Sequence, residues 1–192
     1  MLVPWVGAVA AVLVVVQELH PRVRVLALEA VGRALLVLGQ HVAGGRHLSG
    51  GGGGLPTADI LSADYLPKDA GQPAYGTSDH GTRFRRLRYL DDQIVAIEEI
   101  WLDGGAGIVP RDLIQDSLYL TYKRALKLWI SRAEDRVGIG AVPDWSPTAF
   151  ALPPGTVTAY IERLSWAQRA EAVEFSRTWY DTEKALYVQR LA

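Results

Sequence analysis

The densest charge in the chain is a set of four arginines within the stretch TRFRRLRYLDD, residues 82–92. The surrounding residue types favour an extended strand, in which side chains two positions apart share a face. Arg86 and Arg88 are therefore expected on one face, and Arg83 and Arg85 on the other. Two guanidinium groups one pleat apart offer a double fork of donors that suits a carboxylate or a phosphate. A solvated strand face has the same pattern, so the residue types alone leave both interpretations open.

Two carboxylates follow in the next β-rich run, IVAIEEIWL, residues 94–102. The short polar segment between the runs, residues 91–93, is typical of a hairpin turn. In this hairpin Glu98 shares a face with Ala96 and Ile100, while Glu99 takes the opposite face. The carboxylates could form cross-strand ion pairs with the arginines, or they could accept hydrogen bonds from a ligand beside an anion site.

A row of polar side chains occurs on a later strand, EFSRTWYD, residues 174–181. Strand alternation places four of them on one face: Glu174, Ser176, Thr178 and Tyr180. Such a row is either the solvent face of a sheet or the polar lining of a pocket, and periodicity does not distinguish these.

Several other chemistries are not indicated by the sequence. Its 192 residues carry a formal net charge of -1, which argues against a domain that binds DNA through a basic surface. The chain has no cysteine, and its four histidines show no metal-ligand spacing. No phosphate-binding loop, dinucleotide fingerprint or nucleophile elbow occurs. The sequence therefore predicts no metal site, no cofactor and no activated nucleophile.

The first 54 residues differ in composition from the rest of the chain. They contain neither aspartate nor lysine, and they end in the glycine run Gly50–Gly54. The apolar stretch Leu2–Val16 has about 15 residues, fewer than the roughly 20 that a membrane-spanning helix needs. No lysine or arginine precedes it, so a signal peptide is not indicated. We predict an atypical extension over residues 1–54 and one domain over residues 55–192, long enough to bury a core.

Within this domain, alternating and periodic runs predict an antiparallel sheet of five or six strands with helices between hairpins, an α+β fold. Seven segments are strand-like, of which the sheet is expected to contain five or six: residues 57–66, 82–90, 94–102, one within 127–142, 156–166, 170–181 and 185–192. The predicted helices are residues 113–125, where Asp112 lies near the start, and a short one within 143–152.

The order of these motifs resembles a known family. The segments FRRLRYLDDQIVAIEEIWL, DSLYLTYKRAL, ISRAEDRVGIGAV, LPPGTVTAYIERLSW and AVEFSRTWYD follow one another as in the UTRA domain. That is the effector-binding domain of the HutC subfamily of GntR-type transcription regulators. The resemblance runs from about Thr57 to Ala192. It implies a chorismate lyase-like antiparallel sheet with flanking helices, a pocket for a small metabolite, and a homodimer.

The resemblance also implies which residues bind the effector. Arg86 and Arg88 match the positions that hold the ligand's anionic group. At the start of the SLY helix, a hydroxyl and the N-terminal N–H groups suit an anion. The other matching positions are Glu98, Ser117, Tyr119, Glu174 and Tyr180, with Thr77 and Ser78 in the YGTSD loop as further candidates.

The beginning of the chain departs from the family pattern. GntR regulators carry a winged helix-turn-helix there, whereas residues 1–54 show neither a recognition helix nor a wing. We expect that this segment is truncated, misassigned or read in a shifted frame, and that this chain does not bind operator DNA by itself. Sequencing the locus upstream tests this expectation.

The expected function is a cytoplasmic effector-sensing domain, not an enzyme, that binds a small anionic metabolite and modulates DNA binding of the full-length dimer. One alternative is a chorismate lyase-like enzyme using an arginine and a glutamate for elimination; assaying pyruvate release from chorismate distinguishes it. Another is a membrane-tethered sensor anchored by Leu2–Val16, which solubility without detergent would argue against.

Overall fold

The computed structural model describes residues 57–90 and 92–187, together with the backbone of three short strands nearer the two ends of the chain. The predictions for Leu2–Val16 and for Gly50–Gly54 lie outside the described residues. No helix in the described part is long and apolar enough to cross a membrane.

Six strands form one antiparallel sheet in the order β3-β4-β5-β8-β7-β6. Their bounds are β3 Thr57–Pro67, β4 His80–Leu90, β5 Gln93–Asp103, β6 Arg132–Ala141, β7 Val157–Trp166 and β8 Ala172–Tyr180. Four shorter strands form two pairs: β1 Arg24–Leu26 with β9 Ala185–Tyr187, and β2 Ala34–Leu35 with β10 Arg190–Leu191. The predicted antiparallel α+β fold is confirmed.

One α-helix, α1, spans Leu118–Leu126. It begins five residues later than predicted, because the helix cap is Ser117 and not Asp112: the Ser117 hydroxyl accepts a hydrogen bond from the Leu120 N–H. Asp112 lies instead in a short 3-10 turn, Arg111–Leu113, and a second such turn spans Gly104–Ala106.

The predicted short helix within residues 143–152 is wrong. That segment forms successive turns, in which Pro143 and Pro147 accept from Ser146 and Phe150. Pro147 has no N–H to donate and disfavours helical backbone at the preceding residue, so a helix cannot run through it. The predicted strand within residues 127–142 begins only at Arg132. Leu128 and Ile130 lie in the segment before the strand, where both side chains are buried.

The two sides of the sheet bury different clusters. Helix α1 covers one face, where Leu118 and Tyr122 pack on Phe84, Ile100 and Leu102. On the other face, strand residues join side chains from the proline-rich segment, in a cluster of Leu87, Ile97, Val142, Phe150 and Trp179. The face under α1 is the one that carries Arg86 and Arg88.

The division of the four arginines is as predicted. Arg85 lies opposite Glu99 on the face away from α1, donates to it at 2.9 Å, and stacks over the Trp145 ring at 4.6 Å. Arg83 pairs with Asp64 at 3.2 Å. These two guanidinium groups therefore belong to a different surface from Arg86 and Arg88.

Candidate functional site

Antiparallel register brings polar side chains from four strands together beneath the start of α1. Arg86 on β4 lies opposite Glu98 on β5, which lies opposite Thr178 on β8. One row further along the sheet, Ser176 lies opposite Arg163 on β7. The resulting cavity of about 40 Å³ is lined by Arg86, Arg88, Glu98, Ile100, Leu118, Tyr119, Ile161, Arg163, Glu174, Ser176 and Thr178.

The two arginines converge on a single carboxylate. Arg86 donates from Nε and Nη2 to Glu98 Oε2 at 3.0 and 2.6 Å, and from Nη1 to the Asp116 carbonyl at 2.8 Å. Arg88 Nε lies 3.8 Å from the same Glu98 oxygen. Both arginines and Glu98 are buried. Glu98 thus lies beside both guanidinium groups, and Arg86 also contacts the residue directly before the cap of α1.

Glu98 is held in its ionised form. Its burial alone raises the pKa of the carboxyl, because a low dielectric disfavours charge. The adjacent Arg86 and Arg88 more than offset this, so that the pKa of Glu98 lies below its usual range. Glu98 therefore accepts hydrogen bonds at neutral pH.

Glu174 behaves in the opposite way. Its side chain is only 2% exposed, and this burial raises its pKa, an effect that nearby Tyr122, Ser165 and Arg163 only partly oppose. Ser165 Oγ donates to Glu174 Oε1 at 3.0 Å, and the Tyr119 hydroxyl is 3.0 Å from Ser165 Oγ. Glu174 Oε2 and the Tyr122 hydroxyl have no hydrogen bond of ordinary length among the described residues. The Tyr122 hydroxyl nevertheless lies close enough to Glu174 to lower the pKa of its carboxyl.

Arg163 lines the same cavity but was not among the predicted site residues. Asp135, opposite it on β6, accepts from its Nε at 2.5 Å and from its Nη2 at 2.8 Å. Tyr187 donates to Asp135 Oδ2 at 2.7 Å. The alternation of Ile161, Arg163 and Ser165 along one strand face is the sequence signal that could have found it. Ser176 and Thr178 belong to the polar row noted in the sequence and also line the cavity.

Of the nine predicted site residues, five line the cavity: Arg86, Arg88, Glu98, Tyr119 and Glu174. The other four do not. Ser117 caps α1 beside the cavity-lining Leu118. Tyr180 lies on the same face of β8 but packs in an apolar cluster with Leu90 and Val95.

Thr77 and Ser78 lie around a different carboxylate. Their backbone N–H groups each donate to Asp103 at 3.1 Å, and Lys68 Nζ pairs with Asp103 at 2.7 Å. Gly76 has a positive φ of 66°, and a Cβ there would meet the Asp103 carboxyl. This arrangement holds the loop against the end of β5.

Replacing Ser117 with alanine is expected to lower the free energy of unfolding by about 1 kcal/mol, because the Leu120 N–H loses its cap. Urea denaturation measures the change. Ser117→Thr, which keeps a hydroxyl at the cap, is the control and is expected to retain most of the stability. Equal stability of Ser117→Ala and the parent chain would contradict a capping role.

Three comparisons with known proteins agree with this architecture. The family model of the UTRA domain matches residues 53–185. The HTH-type transcriptional regulator SmoD of Agrobacterium fabrum is 47% identical over 141 residues, which cover 73% of this chain and 60% of SmoD. The chain thus spans about 60% of the length of this curated relative.

Solved structures share the fold at low sequence identity. The effector domain of PhnF from Mycobacterium smegmatis aligns with a TM-score of 0.57 and 16% identity, covering 69% of this chain and 85% of that one. A GntR-family transcriptional regulator from Enterococcus faecalis gives a TM-score of 0.58 at 15% identity, covering 70% and 100%. The chain therefore belongs to the UTRA domain family, the effector-binding domains of GntR-type transcription regulators.

Proposed function

We propose that residues 55–192 form a ligand-binding domain whose cavity takes a small anionic metabolite. The observation that carries this proposal is the pair of buried guanidinium groups, Arg86 and Arg88, that share the one carboxylate of Glu98. Guanidinium groups in a buried cavity favour an anionic ligand, because charge-assisted hydrogen bonds are strong where water is excluded. The family match over residues 53–185 supports this domain boundary, with residues 1–54 as a separate extension.

The rest of the cavity suits the uncharged part of such a ligand. Hydroxyls of Tyr119, Ser176 and Thr178 can donate or accept, and the carboxyl of Glu174 can bond to a hydroxyl or an amine. Arg86 is positioned to exchange its bonds to Glu98 or Asp116 for bonds to the ligand.

The wider role follows from the family. Occupancy of the cavity would modulate operator binding by the full-length dimer, which requires that the ligand bind two conformations with different affinity. Operator contact is assigned to a helix-turn-helix domain, as the name of SmoD indicates for that protein. The proposed role is that of a binding protein and not of an enzyme, in the cytoplasm where operator DNA lies.

Titration calorimetry with inorganic phosphate, and then with a panel of small phosphates, carboxylates and sulfonates, tests the cavity. We expect Arg88→Gln to weaken anion binding by about 10- to 100-fold, because a charge-assisted hydrogen bond contributes about 1.5–3 kcal/mol. The matched control is Arg83→Gln, on the same strand but the opposite face, which should bind as the parent does. Equal losses of anion affinity in the two variants would show that the anion is attracted by the positive charge of the surface in general and does not bind in the cavity.

A further inference from the structure

The cavity carries arginines at two ends that lie far apart on the sheet. Arg86 and Arg88 project from β4, whereas Arg163 projects from β7, three strand positions away. Neighbouring strands lie about 4.8 Å apart, so about 14 Å separates the backbones that carry these side chains. A ligand whose anionic group lies at Arg86 and Arg88 therefore extends its other end toward Arg163.

The charge of Arg163 is balanced by a carboxylate outside the cavity. Asp135 accepts hydrogen bonds from the Nε and Nη2 of Arg163 at 2.5 and 2.8 Å, and Arg163 is the member of this pair that lines the cavity. Burial raises the pKa of Asp135, but the hydrogen bond and the charge of Arg163 lower it further, with help from the Tyr187 hydroxyl. Asp135 is therefore ionised at neutral pH, and the pair brings a guanidinium to the cavity without a net positive charge.

The neighbours of Arg163 inside the cavity add no positive charge to this end. Glu174 lies two residues before Ser176, which is opposite Arg163 in the sheet. Burial raises the pKa of Glu174, and Arg163 is close enough to oppose that effect. Whether Glu174 is ionised or protonated, Arg163, Asp135 and Glu174 together carry no net positive charge. Tyr119 and Ser176 supply hydroxyls here, so this end suits an uncharged oxygen of a ligand.

We infer that Asp135 determines ligand specificity: by neutralising Arg163, it makes this end of the cavity select an acid that bears a hydroxyl there over an acid with a second acidic group there. The inference rests on the proposed function and adds the class of ligand that the cavity rejects. Asp135 does not touch the ligand and acts through Arg163. A second acidic group would lie near the carboxyls of Asp135 and Glu174, and like charges repel strongly where water is excluded. A hydroxyl can accept from Arg163 without this repulsion.

Two probes with the same three-carbon phosphate skeleton test the inference by titration calorimetry of the full chain. Glycerol 3-phosphate ends in a hydroxyl where 3-phosphoglycerate ends in a carboxylate. The parent chain is expected to bind glycerol 3-phosphate about 10-fold more tightly, because the second acid meets like charge. Asp135→Asn keeps an acceptor beside Arg163 but removes the negative charge. It should lower this preference to about 1-fold or reverse it, since the element that repels the second acid is gone.

Two control variants separate the charge of Asp135 from its structural contacts. Asp64→Asn removes a carboxylate that also pairs with an arginine, Arg83, but neither residue lines the cavity. Tyr187→Phe removes the hydrogen bond to Asp135 and leaves its charge in place. Both controls should keep the preference of the parent chain, and circular dichroism establishes that each variant is folded. A merely structural role of Asp135 would weaken both probes together and leave their ratio unchanged.

The results that overturn the inference differ from those that overturn the proposed function. An unchanged ratio in Asp135→Asn, or a parent chain that binds the two probes equally, would remove the role of Asp135. Arg88→Gln keeps the two proposals apart, because it should weaken both probes. If it does so while Asp135→Asn leaves the ratio unchanged, the anion cavity stands and the selection by Asp135 falls. If neither probe binds, or Arg88→Gln leaves both affinities unchanged, both proposals fall.

Discussion

Replacing Arg86 with alanine is expected to lower the free energy of unfolding by about 3–5 kcal/mol. Arg86 holds the buried Glu98 carboxylate through two hydrogen bonds. Removing the guanidinium leaves an ionised group buried without these two bonds, with Arg88 and Arg163 as the remaining nearby cations. Urea denaturation at neutral pH measures the loss.

The control adds a second substitution, at Glu98, that removes the buried unpaired charge. The double variant Arg86→Met with Glu98→Gln should recover most of the lost stability, because neither partner is then a buried unpaired ion. Arg83→Met should cost less than about 1 kcal/mol, since its pair with Asp64 is partly solvated. A double variant as unstable as Arg86→Ala would show that Glu98 is not the cause.

The second large effect concerns the pH dependence of stability. Burial raises the pKa of Glu174, so the folded protein binds a proton more tightly than the unfolded chain does. The stability that Glu174 contributes is therefore greatest at pH values below its pKa in the unfolded chain. It is lost as the pH rises through its pKa in the folded protein. Glu174→Gln removes that fall, and near neutral pH we expect it to stabilise the protein by about 1–3 kcal/mol, the cost of a buried unsatisfied polar group.

Glu98→Gln supplies the matched comparison, because the pKa of Glu98 is shifted the other way. Arg86 and Arg88 lower it despite burial, so the stability that Glu98 contributes is present at neutral pH and is lost as pH falls through the folded pKa. Glu98→Gln should destabilise at neutral pH and approach the parent chain in acid. As the pH rises from acid to neutral, the unfolding free energy of Glu174→Gln should therefore rise above that of the parent chain. The unfolding free energy of Glu98→Gln should fall below it. Curves that diverge in the same direction would contradict the assigned environments.

The division of the four arginines was predictable because a period of two is a local property that fixes which side chains share a face. The residues that lie opposite them were not predictable from the turn at Asp92. A register shift between Arg88 and Tyr89 displaces the pairing by one residue, and it places Arg86 opposite Glu98 and Arg85 opposite Glu99. Whether the first pair faced solvent or a cavity was left open by the residue types, since that depends on where α1 packs.

Other parts of the site depend on contacts between distant segments. Strand β8 lies between β5 and β7, and only this order brings Glu174 and Arg163 to the arginines. Sequence periodicity does not specify strand order, so Arg163 was not identified. Tyr180 shares a face with Glu174, yet it lies toward the end of β8 where apolar residues cover it. The loop containing Thr77 and Ser78 is bent toward Asp103, a partner far away in sequence.

The central claim is that the cavity under α1 binds an anion through Arg86 and Arg88. A crystal structure of the full chain with inorganic phosphate, or with the strongest binder from the calorimetric panel, tests it most directly. The account predicts the anionic group within hydrogen-bonding distance of both guanidinium groups, with Arg86 turned from Glu98 or Asp116 toward the ligand. An anion bound instead at Arg83 and Arg85 on the opposite face, or a cavity without the anion at saturating concentration, would contradict it.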